Sequence, residues 1–206
     1  MSRISLCLLM LCTVPWSAPA QAQAQRADTP RLKVEVKRIE VDAQRMYEVS
    51  ANAVVQAPPA AVWKTLTGYE RMSEFVPDLS SCRVLSRNGN EVIIEQQGTA
   101  RFLFMSHPIR LVVRAMETPM TSIDIDLISG DMRHYESRWA LTPMPETGGT
   151  RIVFSSRLMP GFYVPGMLGT TMIRGDIERM MGAVMARIDG HPLPAQANNE
   201  ANRQAK

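Results

Sequence analysis

Apolar residues near the C-terminus recur at intervals of three and four positions, the spacing that places side chains along one side of an α-helix. Charged residues such as Arg174 and Glu178 fall between them, on the opposite side. Gly190 and Pro192 follow the pattern and are typical of the positions just beyond a helix C-terminus. We therefore predict a long amphipathic helix over Pro165–Asp189. Its apolar positions are Ile173, Ile177, Met180, Met181, Val184 and Ile188.

Before this helix, apolar residues alternate with polar ones at a period of two, as expected for strands with one buried and one wet face. The alternation is regular over 109–115. Asn88-Gly89 is a strong hairpin signal, and we expect Gly98 to mark a bulge or a close approach of two chain segments. The predicted strand material covers 32–56, 82–86, 91–105, 109–115, 123–127, 135–141 and 152–158, and a hairpin bent near Asp42-Ala43-Gln44 is one interpretation of the first region.

Two short helical segments follow the first strand region. Pro58-Pro59 ends that region, and proline is favourable in the first turn of a helix. Short helices are therefore expected at Ala60–Leu66 and Tyr69–Glu74. Strands in succession with a helix at the end predict an α+β fold. We expect a curved antiparallel sheet of six to seven strands wrapped around one long C-terminal helix, with two short helices after the first strand.

The first residues have the pattern of a secretory signal peptide. Arg3 provides a positive charge, an apolar run extends from Ile4 to Val14, and Ala22 and Ala24 each complete a small-x-small cleavage pattern. The apolar run is shorter than the roughly 20 residues that a membrane anchor requires. We therefore expect residues 1–24 to be removed and the protein to be exported, to the periplasm or as a secreted protein.

The remaining chain of about 180 residues is long enough for one domain with a sizeable core. We expect 25–48 to form an N-terminal extension or first-strand material, 49–190 to form the domain, and 191–206 to form a disordered tail. Cys82 is the only cysteine after the signal, so no intramolecular disulfide is expected. The formal net charge of +3 comes from scattered residues and does not indicate a nucleic-acid partner.

Several short motifs, taken in their order along the chain, resemble a known family. They are Tyr69, Phe75-Val76-Pro77, Val84-Leu85, Gly130, Glu136-Ser137-Arg138-Trp139 and Gly149-Thr150-Arg151-Ile152-Val153-Phe154, followed by the terminal helix. In these features the chain resembles the Coq10 and polyketide cyclase/dehydrase branch of the START-like (SRPBCC, helix-grip) superfamily, over about 49–188. The resemblance implies a helix-grip fold with a deep apolar cavity between the sheet and the long helix. It also implies a ligand such as a lipid, a quinone or a polyketide, but no particular reaction.

Motifs for catalysis or metal binding are weak. The histidines are His107, His134 and His191, and none lies at metal-ligand spacing from another ligand residue. Cys82 has no nucleophile signature. Asp124 and Asp126 alternate with apolar residues, which places them together on a solvated strand face. No metal and no cofactor is therefore expected.

On periodicity alone, the inward-facing side chains form an ordinary solid core. Three features favour a cavity once the resemblance is taken into account. Flexible methionines are abundant around the long helix, and small or polar residues such as Gln96 and Gly98 share the parity of the inward apolar ones. The helix entry, 160–169, is rich in glycine and proline, as a gating loop would be. The residues expected to line the cavity are Phe75, Gln96, Phe102, Phe104, Arg110, Tyr135, Ser137, Trp139, Phe154, Met159, Met167, Ile173, Ile177, Met180 and Met181.

Three functional hypotheses remain open. The first is a non-enzymatic exported carrier of a hydrophobic small molecule, such as a lipid, an isoprenoid quinone or a polyketide-like compound, for which transient membrane contact would serve ligand exchange. The second is a cyclase or aromatase that uses the same cavity, with Tyr135, Arg110 and His134 as candidates for proton transfer. The third is a protein-interaction module, for which the sequence identifies no partner.

Overall fold

The computed structural model describes residues 31–102, 105–164 and 168–190. The predicted signal peptide at 1–24 and the predicted disordered tail at 191–206 lie outside these ranges. In chain order the elements are β1 (Leu32–Val41), β2 (Gln44–Val55), α1 (Pro59–Leu66), a 3₁₀ helix (Tyr69–Glu74), β3 (Leu79–Asn88), β4 (Glu91–Phe102), β5 (Met105–Thr118), β6 (Ser122–Gly130), β7 (Met132–Met144), β8 (Gly149–Pro160) and α2 (Gly169–Asp189).

The eight strands form one antiparallel sheet in the order β1-β2-β8-β7-β6-β5-β4-β3. Consecutive strands pair as hairpins, except β2 and β3, and β2 instead pairs with β8, which is distant in sequence. The alternation predicted the burial correctly, since Val113 and Ala115 of β5 are fully buried while Arg114 between them is exposed. The curved sheet packs its apolar face against α2, so the α+β helix-grip prediction is confirmed.

The strand count is higher than predicted because 32–55 forms two complete strands. Asp42 and Ala43, at the turn between them, have positive φ angles of 50° and 61° and allow β1 to fold tightly back on β2. The prediction of six to seven strands is therefore corrected to eight. For the same reason, α1 and the 3₁₀ helix follow the second strand and not the first.

The long helix α2 is held firmly at its C-terminal end. Gly190, which was predicted to follow the end of the helix, is its C-cap and adopts the left-handed conformation with φ 73°. One guanidinium nitrogen of Arg187, Nη2, donates to Glu74 Oε2 at 3.3 Å, and the same group lies over the ring of Phe75, 5.7 Å from its centroid. Asp189 accepts from the backbone N–H of Gln56 at 3.2 Å and pairs with Arg31.

The two halves of α2 differ in burial, and this difference positions the site. Met181, Val184 and Met185 in the C-terminal half are buried in the main core. Ile173 and Ile177 in the N-terminal half are only partly buried, although they face the same sheet. Among the described residues, no helix has the length and apolar character needed to cross a membrane.

Candidate ligand-binding cavity

A cavity of about 270 Å³ lies between the N-terminal half of α2 and the inner face of the sheet. Its sheet side is built from the end of β4, the start of β5, the start of β7 and the end of β8, which all meet at one end of the molecule. The lining is predominantly apolar. The lining residues are Val76, Pro77, Asp78, Leu79, Gln96, Gln97, Gly98, Thr99, Ala100, Ile109, Leu111, Met132, Leu158, Pro160, Phe162, Val164, Met172, Ile173, Asp176, Ile177 and Met180.

One rim of the cavity is the segment that connects the 3₁₀ helix to β3. Asp78 has a positive φ of 63°, and its carbonyl oxygen accepts a hydrogen bond from Thr99 N–H at 2.8 Å. A Cβ on residue 98 would lie 2.5 Å from that same oxygen, so only glycine permits this approach. The predicted close approach at Gly98 is therefore present and fixes the rim against β4.

The opposite rim is the N-terminal half of α2, which an ion pair connects to this segment. Arg179 Nη2 donates to Asp78 Oδ2 at 3.2 Å and to Asp176 Oδ1 at 2.6 Å. Asp78 and Asp176 both line the cavity at its edge, and both are paired with Arg179. The interior is therefore left to apolar groups and to a few uncharged polar ones.

Gln96 is the polar side chain that faces the cavity from the middle of β4, and its cross-strand neighbour is Cys82. Cys82 is buried, and burial raises the pKa of its thiol to about 11, although a hydrogen bond with Gln96 acts in the opposite direction. A thiol with this pKa stays protonated at neutral pH. Gln96 therefore presents a neutral polar group to the cavity, and Cys82, which does not line it, is not a nucleophile there.

Four of the predicted cavity residues line the cavity in the structure: Gln96, Ile173, Ile177 and Met180. Phe104 and Met167, together with the side chain of Phe102, lie outside the described residues. Helical periodicity and strand parity had identified all four of these residues. Ligand contact by these side chains remains a proposal.

The large residues among the predictions fill the core beside the cavity and do not line it. Trp139 and Phe154 are buried with their ring centroids 4.7 Å apart, and Phe75 and Met181 belong to the same buried cluster. None of the four is among the residues that line the cavity. The expectation that they form the cavity wall is therefore corrected.

Tyr135 and Ser137 lie on the inner face of the sheet, on the side of α2, and are hydrogen-bonded to each other. Ser137 Oγ donates to Tyr135 Oη at 3.3 Å, and burial raises the pKa of the tyrosine hydroxyl. Leu158, the cross-strand neighbour of Tyr135, lines the cavity. The pair therefore lies next to the cavity, with Leu158 between.

Arg110 and Met159 lie on the outer face, so their predicted placement in the cavity is wrong. Arg110 Nε donates to Glu95 Oε1 at 2.8 Å on the side of the sheet away from α2. Its neighbour Leu111 is the residue that faces inward. Likewise, Leu158 of β8 faces the cavity and the following residue, Met159, points away from it, because strand side chains alternate between faces.

Other lining residues were not predicted. Leu111 was expected to face the long helix but was not counted among the cavity residues, and Leu158 could have been found from strand parity alone. Val76 lies in the connection before β3, Met132 is the first residue of β7, and Val164 lies in the segment before α2. Their contribution depends on how those segments meet in space, for which the sequence carries no local signal.

A second depression, of about 340 Å³, lies on the outer face of the sheet and is lined mainly by charged residues and serines. Several of its charged side chains are paired across neighbouring strands: Arg138 with Asp124, and Arg157 with Glu48 and Glu136. The outer depression is therefore a hydrated, salt-bridged strand surface. Within the described ranges, no group of three His, Cys, Asp or Glu residues could hold a metal ion.

Comparison with protein families gives one match over most of the domain. Residues 55–185 match the model of the family described as polyketide cyclase / dehydrase and lipid transport. A comparison with curated protein sequences finds no match.

Many solved structures resemble the fold. A STAR-related lipid transfer protein from Xanthomonas axonopodis aligns with a TM-score of 0.62 at 15% identity, covering 78% of this chain and 95% of that chain. A START superfamily protein from Mycobacterium smegmatis gives 0.61 at 16% identity, covering 69% and 97%. The Zhui aromatase/cyclase from Streptomyces sp. R1128 gives 0.56 at 15% identity, covering 78% and 96%. At these identities the likeness establishes a common fold.

Proposed function

The chain belongs to the polyketide cyclase / dehydrase and lipid transport family, and on that premise we propose that it is a carrier that binds a hydrophobic small molecule under α2. The ligand class is a lipid, an isoprenoid quinone or a polyketide-like compound. One observation carries the proposal: the space between α2 and the sheet is a cavity of about 270 Å³ with a predominantly apolar lining.

The energetics of burial favour a greasy guest. Each methylene that leaves water contributes about 0.8 kcal/mol, so a chain of about ten methylenes gains roughly 8 kcal/mol before the entropic cost of binding. Ligand pockets typically enclose about 300–1,000 Å³. At about 270 Å³ the cavity lies just below that range, which suits one hydrocarbon chain or a small ring system better than a lipid with two chains.

The positions of the candidate catalytic residues support a carrier over a cyclase. A cyclase needs an acid and a base within reach of the bound chain. Arg110 and His134 lie on the outer face, where His134 Nε2 is 3.7 Å from Glu136 Oε2. Tyr135 faces inward but is hydrogen-bonded to Ser137. Asp78 and Asp176 at the cavity edge are paired with Arg179.

Export and membrane contact are part of the same proposal. The signal-peptide pattern of 1–24 supports a location outside the cytoplasm, in the periplasm or the medium. Tyr163 is 83% exposed between Phe162 and Val164, which both line the cavity, and an exposed aromatic side chain at such a mouth suits contact with a bilayer surface. Intact-mass analysis of the exported protein tests cleavage, and co-sedimentation of wild type and Tyr163→Ser with lipid vesicles tests the contact.

Native mass spectrometry of the protein purified from its own host tests the carrier proposal. We expect a non-covalent adduct that is released on unfolding and is recovered chemically unchanged by solvent extraction. The variant Ile173→Trp, which fills the cavity, should lose the adduct, whereas Glu178→Trp on the exposed side of the same helix should retain it. Protein that is ligand-free in every preparation, or an adduct that both variants retain, would contradict the proposal.

A further inference from the structure

A second pocket, of about 390 Å³, adjoins the mouth of the cavity. Met132 and Phe162 line both spaces, so these two side chains form the partition between them. The cavity side of this partition is apolar. The other side is polar, since its lining includes His107, Asp131 and Arg133.

Two glycines give this pocket a rigid backbone frame. Asp131 N–H donates to Arg110 O at 3.0 Å, and Gly161 N–H donates to Asp131 O at 2.9 Å. A Cβ would lie 2.2 Å from Arg110 O if placed on residue 130 and 2.5 Å from Asp131 O if placed on residue 161. The strand ends are therefore packed backbone to backbone, and the pocket is part of the fold.

The polar side chains of the pocket differ in how they are engaged. Asp131 Oδ2 accepts the backbone N–H of Arg110 at 2.7 Å. The His107 ring packs against the ring of Phe162 at an interplanar angle of 36°, with centroids 4.4 Å apart. Arg133 is the extra residue of a β-bulge between the pairs Met132↔Pro160 and His134↔Met159, and it makes no ion pair with any described residue. A bulge re-aims a side chain, and here it leaves an arginine available beside an imidazole.

We propose that this pocket binds the acidic head, a carboxylate or a phosphate, of a single-chain amphiphile whose tail occupies the cavity under α2. This inference rests on the proposed function, because it requires the cavity to take an apolar chain. Arg133 supplies the charge and a planar set of donors, His107 supplies a further donor, and Phe162 lies where the head joins the tail. The head stays at the polar side of the partition, which fixes the direction in which the ligand enters.

Calorimetric titration of the protein with three probes of one chain length separates the head site from the tail site. The probes are dodecanoate, dodecan-1-ol and dodecyltrimethylammonium. We expect the wild type to bind dodecanoate most tightly of the three. Arg133→Gln should weaken dodecanoate binding about fivefold, as removal of one exposed charge pair predicts. The affinity for dodecan-1-ol should be unchanged in this variant. Arg133→Glu should weaken dodecanoate further. Arg151→Gln, at an exposed arginine near the opposite end of the sheet, is the matched control and should change nothing.

The outcomes test the head site separately from the carrier proposal. If dodecanoate and dodecan-1-ol bind the wild type and both Arg133 variants equally, the head site is wrong and the carrier proposal stands. If dodecyltrimethylammonium binds best, the pocket selects a cation through Asp131 and the inference is overturned. If no probe binds, both the head site and the carrier proposal fail. Because Arg133 is exposed, its variants should keep the melting temperature of the wild type, which a thermal scan verifies.

Discussion

Gly98 of β4 lies so close to the carbonyl oxygen of Asp78 that a Cβ at position 98 would be 2.5 Å from it. The contact fixes the segment before β3 to the sheet and so forms one rim of the cavity. Gly98 has no room for a side chain, and Asp78, which is not a glycine, has a positive φ of 63°. The rim is thus determined by backbone packing, which a single methyl group would disturb.

The variant Gly98→Ala should lower the free energy of unfolding by about 1–3 kcal/mol, because the added methyl group must displace a backbone carbonyl. It should also weaken the Thr99 N–H bond to Asp78 and loosen the rim. Chemical denaturation measures the first effect and hydrogen exchange at Thr99 the second. Gly182→Ala in α2 is the control: no atom lies within 4 Å of the added Cβ, so it should stabilise the helix by ~0.5–1 kcal/mol. A neutral Gly98→Ala would contradict this account of the rim.

Glu95 on the outer face should make stability depend on pH. Its side chain is 2% exposed, and hydrogen bonds from Arg83 and Arg110 hold the pKa of its carboxyl below the ordinary 4.5. The ionised form therefore stabilises the fold above the ordinary pKa, and this contribution is lost as the pH falls through the lowered value. We expect Glu95→Gln to melt below the wild type at pH 7.

The difference between Glu95→Gln and wild type should shrink in thermal scans taken at successively lower pH beneath 4.5. Glu91→Gln removes an exposed carboxylate whose oxygen lies 3.6 Å from Arg114 Nε, and this control should have little effect at any pH because exposed pairs contribute little. An equal difference between Glu95→Gln and wild type at every pH would rule out the proposed ionic origin.

The thiol of Cys82 should be unreactive in the folded protein. Burial raises its pKa to about 11, so at pH 8 the thiolate is scarce, and alkylation by iodoacetamide should be roughly a hundredfold slower than after unfolding in denaturant. Ser80→Cys in a Cys82→Ser background places a thiol at an exposed position of the same strand and should react without unfolding. Equal rates for the folded and unfolded wild type would show that the site is open to solvent.

The ion pairs of Arg179 should hold the N-terminal half of α2 over the cavity. Arg179→Gln removes its pairs with Asp78 and Asp176, so the backbone amides of 172–178 should exchange hydrogen faster while those of 183–188 stay unchanged. Arg174→Gln, on the exposed side of the helix, serves as the control. If Arg179→Gln changed the hydrogen-exchange rates of 172–178 and 183–188 equally relative to wild type, the ion pairs would have no local role.

Much of the fold could be predicted because its elements depend on local patterns. The Asn88-Gly89 turn, the alternation in β5 and the glycine cap of α2 each follow from residues next to one another in the chain. A hairpin bend near Asp42-Ala43-Gln44 was one interpretation of the first strand region, but the strand count did not include it, because the turn contains no glycine although Asp42 and Ala43 adopt positive φ. Such a turn has no strong sequence signature.

The site was less predictable because it depends on volumes and on distant segments. Arg110 was assigned to the cavity for its charge, although the alternation around it already placed it outside. Trp139 and Phe154 were correctly oriented inward, but whether an inward aromatic ring fills a core or borders a void depends on the sum of many side-chain volumes. Periodicity identifies a face and not the empty space next to it.

Titration with dodecan-1-ol, comparing wild type, Ile173→Trp and Glu178→Trp, tests the central claim most directly. Binding of an uncharged chain depends on the apolar cavity alone, and the indole at position 173 occupies that space while the one at position 178 points to solvent. The account predicts saturable binding to wild type and Glu178→Trp and its loss in Ile173→Trp, with all three proteins folded. Equal binding by all three, or binding by none, would contradict a ligand site under α2.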